Sequence, residues 1–143
     1  MVERGDPLSD RLAIIDTVVA YATAVDTRDW TLFAHLFTTD AVWEYSAGHE
    51  RCAGPDDIVA RVRASIERLD ATQHFVTNHV VTVVGDTATH GCYYLAQHLR
   101  SGGRFLAAGR YADRLRRTDD GWRIATRVLL STWTEGDPAV LER

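Results

Sequence analysis

Two side chains in this sequence have a type and a setting suited to moving a proton. Asp26, in "AVDTRDW", comes eleven residues after Ile15, seven after Val19 and four after Ala22. On a helix of 3.6 residues per turn that places its carboxylate within about 40° of the apolar stripe, pointing inward. Near a helix C-terminus the macrodipole disfavours negative charge, so an ionised carboxylate there needs a cationic or hydrogen-bonding partner. Capping the "DTRD" corner through a backbone amide or an arginine is one way to supply it. His74, in "DATQHFVTNHV", falls in a run that reads as a strand. Its even positions are His74, Val76, Asn78, Val80, Thr82 and Val84, and its odd ones Gln73, Phe75, Thr77, His79, Val81 and Val83. Neither face is cleanly polar, so both are expected to be partly covered, and alternation alone fits a structural histidine as well as a catalytic one. Paired, the two groups have a purpose: the carboxylate accepts from one imidazole nitrogen, fixes the tautomer and leaves the other nitrogen basic toward a substrate C–H. His79, of opposite parity, is not expected to share that site.

The run "THGCYYLAQHL" offers a third group. If His98 faces a pocket, the two-residue period carries Cys92, Tyr94 and Ala96 to the same side. The next run brings Phe105, Ala107, Gly109 and Tyr111 to one face, where the small residues of "LAAG" leave room for a ligand between aromatic walls; plain core filling is the competing account. The expected substrate-lining set is Tyr21, Trp43, Tyr45, Cys92, Tyr94, Phe105, Tyr111, Trp133 and Glu135. No metal ligands are expected, because the six histidines form neither H-x-x-x-H on a helix nor H-x-H on a strand. A G-x-S-x-G nucleophile, a recognisable cysteine context and a phosphate loop are also lacking.

These groups must be positioned by a small set of elements. Apolar residues at Ile15, Val18, Val19, Ala22 and Val25 predict a helix over 12–25, with Ser9 or Asp10 as N-cap. "WTLFAHLF" reads as a short second helix, "AVWEYSA" (41–47) as a strand, and "GPDDIVARVRASIERL" (54–69) as a third helix opened by Gly-Pro and two acids. Four β-rich runs follow, at 72–84, 89–99, 104–116 and 122–132, separated by the turns "GDTA", "RSGG" and "RTDDG". Helices first and an antiparallel meander last is the order of an α+β fold with helices over one face of a curved sheet.

Length and composition bound the rest. A chain of 143 residues without repeat or linker is read as one domain, 1–143, able to bury roughly two-thirds of its unfolded surface. A formal charge of −4 with no basic stripe argues against nucleic acid. Two cysteines without C-x-x-C spacing read as reduced thiols, and with no signal-like start and no run of about 18 apolar residues the expectation is a cytoplasmic protein with no membrane partner. All sixteen basic residues are arginine, which removes Schiff-base and pyridoxal-phosphate chemistry, since both need a lysine amine.

The stretches "AIIDTVVAYATAVDTRDW", "LFTTDAVWEY", "GPDDIVARV", "TQHFVTNHVVTVVGDTA" and "GRYADRLRRTDDGWRIATRV", in this order, resemble the SnoaL-like branch of the nuclear-transport-factor-2-like superfamily. The nearest group is that of scytalone dehydratase, the lindane dehydrochlorinase and bile-acid 7α-dehydratase. The resemblance implies a cone-shaped α+β barrel in which a curved, mostly antiparallel sheet is covered by three helices from the N-terminal half. It also implies a catalytic Asp at Asp26 and a catalytic His at His74, with His98 matching a second histidine at a one-residue offset. The tyrosine that precedes the Asp in scytalone dehydratase is Val25 here, and its pocket asparagine is replaced at or near Tyr111. The expected activity is a cofactor-independent elimination, dehydratase-like, or a related isomerisation on a small hydrophobic oxygenated metabolite. His98 or one of Tyr45, Tyr94 and Tyr111 would meet the departing oxygen. A natural-product cyclase acting on an epoxide or enone and a non-catalytic binding module remain alternatives. A homo-oligomer, dimer or trimer, is expected through the odd positions of strand 72–84 and "RVLLSTW".

Overall fold

The computed structural model describes residues 5–46 and 48–142. The first helix, α1 (Pro7–Thr27), begins one turn before the expected caps. Asp6 accepts from the Leu8 and Ser9 amides at 3.0 Å each, with Pro7 opening the helix. Asp10 is buried instead, bound by Arg117 at 2.6 and 2.8 Å and by the Trp122 indole at 3.2 Å. The buried stripe runs through Ile14, Val18, Tyr21 and Val25, while Val19 is 43% exposed. The apolar face is therefore turned by about one residue from the expected one, because the aromatic ring of Tyr21 belongs to it.

Arg28, in the left-handed region at φ 56°, ends α1, and its guanidinium donates to the Ile66 and Leu69 carbonyls at 3.2 and 2.8 Å. Asp29 then caps α2 (Trp30–His35). The corner is thus capped by Arg28 and Asp29, which leaves Asp26 available for another partner. Phe37, read as helical, already opens β1 (Phe37–Tyr45), while Ala47, the end of that expected strand, lies outside the described residues. A short edge strand, β2 (Glu50–Ala53), precedes α3 (Pro55–Ile66), whose Ile58, Val62 and Ile66 are buried. The meander follows as β3 (Ala71–Val84), β4 (Thr87–Arg100), β5 (Gly103–Thr118) and β6 (Gly121–Gly136), closed by a 3-10 turn at Pro138–Leu141.

The strand order is β2-β1-β6-β5-β4-β3, with β1 and β6 parallel and every other pair antiparallel. Strands β2 and β3 are the two edges, so the six-stranded mixed sheet curves without closing, and the three helices lie in its concave side: the expected α+β class.

Two bulges decide which side chains reach that concave side. In β3 the register passes from Thr77 opposite Tyr93 to Val80 opposite Gly91, and Asn78 in the extra position has φ 57°. Alternation reverses there, so His74, Val76, His79, Val81 and Val83 share the more buried face. His79 therefore lies on the same face as His74, contrary to the unbroken two-residue period. In β6 the register passes from Ser131 opposite Gly109 to Trp133 opposite Ala108, with Thr132 extra. Gly109 is required at this crossing, since a Cβ on it would stand 2.0 Å from the Leu130 carbonyl oxygen.

Candidate active site

The last turn of α1 packs along the start of β3 and delivers Asp26 to it. One carboxylate oxygen accepts from the Thr72 hydroxyl at 2.9 Å and from His74 Nδ1 at 2.7 Å; the other accepts from the His74 backbone amide at 2.8 Å. A carboxylate has no proton to give, so His74 carries a proton on Nδ1, and the neutral form of the ring has its lone pair on Nε2. The pair is largely enclosed, with 11% of the His74 side chain and 21% of the Asp26 side chain exposed. Burial pushes the Asp26 carboxyl up, but its bonds from the His74 ring, the His74 amide and Thr72 outweigh it, and the net pKa is below the ordinary value.

His74 opens onto a cavity of about 320 Å³, bounded by Tyr21 and Val25 of α1, Trp43 and Tyr45 of β1, Arg61, Val62, Ser65 and Ile66 of α3, Tyr94, Ala96 and His98 of β4, Phe105, Ala107 and Tyr111 of β5, Leu129 and Thr134 of β6, and Leu141. Asp26 is not in this wall; it stands behind His74 and positions it. The His98 ring is 6.2 Å from that of His74, centre to centre. Its Nδ1 lies 3.2 Å from the Phe105 carbonyl, which only accepts, so this proton too is on Nδ1 and Nε2 is an acceptor. Burial above all, opposed by the Phe105 carbonyl, holds the His98 pKa below its ordinary 6.5. At neutral pH His98 is thus suited to receive a substrate hydroxyl and not to protonate a leaving oxygen.

Tyrosine hydroxyls are among the hydrogen-bond donors of the wall. Burial raises the Tyr21 and Tyr111 hydroxyls above the ordinary 10, and pushes Tyr94 up to about 12, so all three keep their protons. Tyr94 stacks on Tyr111 at 4.7 Å, and the Tyr21 oxygen lies 3.3 Å from the indole nitrogen of Trp43, which donates to it. Beneath them the fully buried Arg127 guanidinium lies 4.2 Å from the Tyr21 ring and 4.0 Å from the Tyr111 ring. Asp113 holds it through two bonds of 2.8 and 2.9 Å.

The expected lining residues Tyr21, Trp43, Tyr45, Tyr94, Phe105 and Tyr111 all meet in this cavity, whereas Cys92, Trp133 and Glu135 are not in its wall. Cys92, opposite Tyr111 in the register, is buried beyond the tyrosine layer. Plain alternation from Leu129 would carry Trp133 and Glu135 inward; the extra residue Thr132 reverses it, so Thr134 lines the cavity and Trp133 lies on the convex side. Sequence reasoning missed Arg61 and Ser65. They are bonded to each other, Arg61 also pairs with Glu50, and their i, i+4 spacing directly before Val62 and Ile66 was the available signal.

An open, curved α+β sheet whose helices enclose a cavity is the fold of the nuclear-transport-factor-2-like class. Residues 6–128 match the SnoaL-like domain, and the chain belongs to that family. It is 36% identical to the terrestric acid biosynthesis cluster protein E of Penicillium crustosum, over 93% of this chain and 90% of that protein. Among solved structures it superposes on a Novosphingobium aromaticivorans protein assigned as an aromatic ring hydroxylase, with TM-score 0.86, 30% identity and coverage of 96% and 100% of the two chains. The fold is also that of an N. aromaticivorans protein assigned as a scytalone dehydratase (TM-score 0.84, 22% identity, covering 91% and 89%). A type 2 hexachlorocyclohexane dehydrochlorinase shares it as well (0.82, 21%, covering 92% and 91%).

Proposed function

We propose that this protein is a cofactor-independent lyase that eliminates water from a small, hydrophobic, oxygenated metabolite, with His74 as the base. The observation that carries this reading is the geometry of one imidazole: its Nδ1 proton is tied to Asp26 at 2.7 Å while its ring opens onto a mainly apolar cavity. At about 320 Å³ the cavity is at the small end of the roughly 300–1,000 Å³ range of ligand sites. His74 Nε2 removes a proton from the carbon next to the one bearing the leaving hydroxyl. The C–H electron pair becomes the new C=C bond, and the C–O bond breaks with its electrons on oxygen. A tyrosine hydroxyl of the wall, from Tyr45, Tyr94 or Tyr111, protonates that oxygen, and the proton on His74 restores the tyrosine through water. The net products are an alkene and water. His98 Nε2 receives a second substrate hydroxyl and fixes the register of the ring. Support for a biosynthetic setting comes from the Penicillium relative, which is named for a natural-product cluster.

The test is kinetic, on a panel of β-hydroxy carbonyl compounds followed by loss of water in mass spectrometry. His74→Ala and Asp26→Asn should each lower kcat at least about a hundredfold with unchanged circular dichroism, the usual scale for a lost general base. Deuterium at the abstracted position should give a primary isotope effect. Cyclisation of an epoxide would show none, and full activity in both variants would remove the dyad from the mechanism.

A further inference from the structure

The reversal of alternation at Asn78 has a partner on the facing strand. His90 and Cys92 are two residues apart on one face of β4, both buried, and His79 joins them from β3. One donor atom from each lies within 4.8 Å of the other two. We propose that His79, His90 and Cys92 bind one borderline-soft transition-metal ion of the zinc type, which clips β3 to β4 outside the cavity.

The orientation of His90 favours this. Its Nδ1 is 2.7 Å from Asp113, and Asp113 is itself fixed by both bonds from Arg127. The carboxylate only accepts, so Nδ1 carries a proton, and in the neutral ring the Nε2 lone pair points to His79, whose Nδ1 is 2.9 Å away. A carboxylate behind one imidazole nitrogen, with the other nitrogen turned toward a second ligand, is the usual outer support of a metal-bound histidine. Bonds of about 2.0–2.3 Å in a tetrahedral site set ligand atoms about 3.3–3.8 Å apart, so the two rings need to part by a few tenths of an ångström and the Cys92 sulfur, in a set that spans up to 4.8 Å, needs to close by about 1 Å. The ion then takes the place of the proton they share.

The donor set selects the ion. Two imidazoles and a thiolate suit zinc, cobalt or copper, and magnesium and calcium prefer oxygen. Burial pushes the Cys92 thiol up to about 12, whereas the nearby Arg127 guanidinium favours the thiolate. Arg11 of α1 adds positive charge near His79, which the thiolate offsets. His79 is only half-buried and gives the ion its route in, and three protein ligands leave a fourth position for water. None of the three residues lines the cavity, so the ion acts on the sheet and not on the proposed elimination.

Titrating the metal-free full-length protein with cobalt(II) tests this. One equivalent should give a near-ultraviolet thiolate-to-cobalt charge-transfer band, which zinc then bleaches. Cys92→Ala should abolish the band and Cys52→Ala, at the other cysteine, should keep it; His79→Gln should weaken binding by at least about tenfold. If Cys92→Ala does not fold, the partly exposed His79→Gln decides. Absence of a saturable band in the folded wild type, its survival in Cys92→Ala, its loss in folded Cys52→Ala, or unchanged affinity in His79→Gln would overturn the site.

Discussion

Asp26 uses both carboxylate oxygens to hold one residue of another element by its ring and by its main chain. Thr72 adds a third bond, and the carboxyl pKa is held below the ordinary 3.8 although burial works the other way. A carboxylate whose folded pKa is depressed contributes stability that is complete above about pH 5 and fades as pH falls through the folded value. An asparagine in its place keeps the size and loses the titration. Urea unfolding from pH 6 to 3 should therefore show wild type and Asp26→Asn separated by a constant gap above about pH 5, narrowing below the ordinary 3.8. A gap that stayed constant down to pH 3 would mean that the histidine does not hold the carboxylate in its ionised form. The same pairing explains why the sequence exposed this site: an inward carboxylate at a helix end needed a hydrogen-bonding or cationic partner, and His74 with its own amide and the Thr72 hydroxyl supplies it.

At the scale of elements, a strand's register carries information that its own sequence does not. Asn78 in the left-handed region costs an ordinary side chain about 1–2 kcal/mol, a cost that glycine escapes and asparagine reduces by bonding locally. Asn78→Val should destabilise the protein by about 1–2 kcal/mol in urea unfolding, while Asn78→Gly should be near neutral. Equal effects of both would mean that the bulge is not held by this backbone conformation. The helices and the four long strands were legible because burial of one face imposes a 3.6- or 2-residue period on apolar residues. The bulges at Asn78 and Thr132 were not, since each is set by the partner strand: a single extra residue sends His79 inward and Trp133 outward. Edge strand β2 lacks the periodic signal because three of its four residues are exposed. The Arg127–Asp113 pair escaped for a related reason. Two charged residues fourteen apart in sequence meet only once β5 and β6 are paired, and nothing in "RYADRLRR" or "ATRVLL" separates them from surface charge.

The whole molecule presents two different faces of one sheet. The concave side is filled by helices and the cavity; the convex side of β3 to β6 carries Phe75, Val80, Tyr93 and Trp133, exposed by 47%, 67%, 54% and 51%. A groove of about 650 Å³ runs among Phe75, Tyr93, Leu95, Ala108, Arg110 and Trp133. Aromatic residues and arginine are enriched at the centres of protein interfaces, and monomers rarely keep such a patch in water. We propose that a second copy of this chain covers it. A self-complementary surface closes most simply around a symmetry axis, and the groove, with Trp133 and Phe75 standing at its sides, supplies both a ridge and a recess on each copy. Sedimentation equilibrium at about 100 μM should give a mass that is a whole multiple of the monomer, a concentration well above the dissociation constant of an ordinary specific interface. Trp133→Asp combined with Phe75→Arg should return it to the monomer mass, because each copy then carries a charge into an apolar contact. The face altered is opposite the one that holds His74, so the doubly substituted protein should still show the His74-dependent turnover. A wild type that sediments as a monomer at that concentration, or a double variant that stays assembled, would assign the convex groove to some other partner or to none.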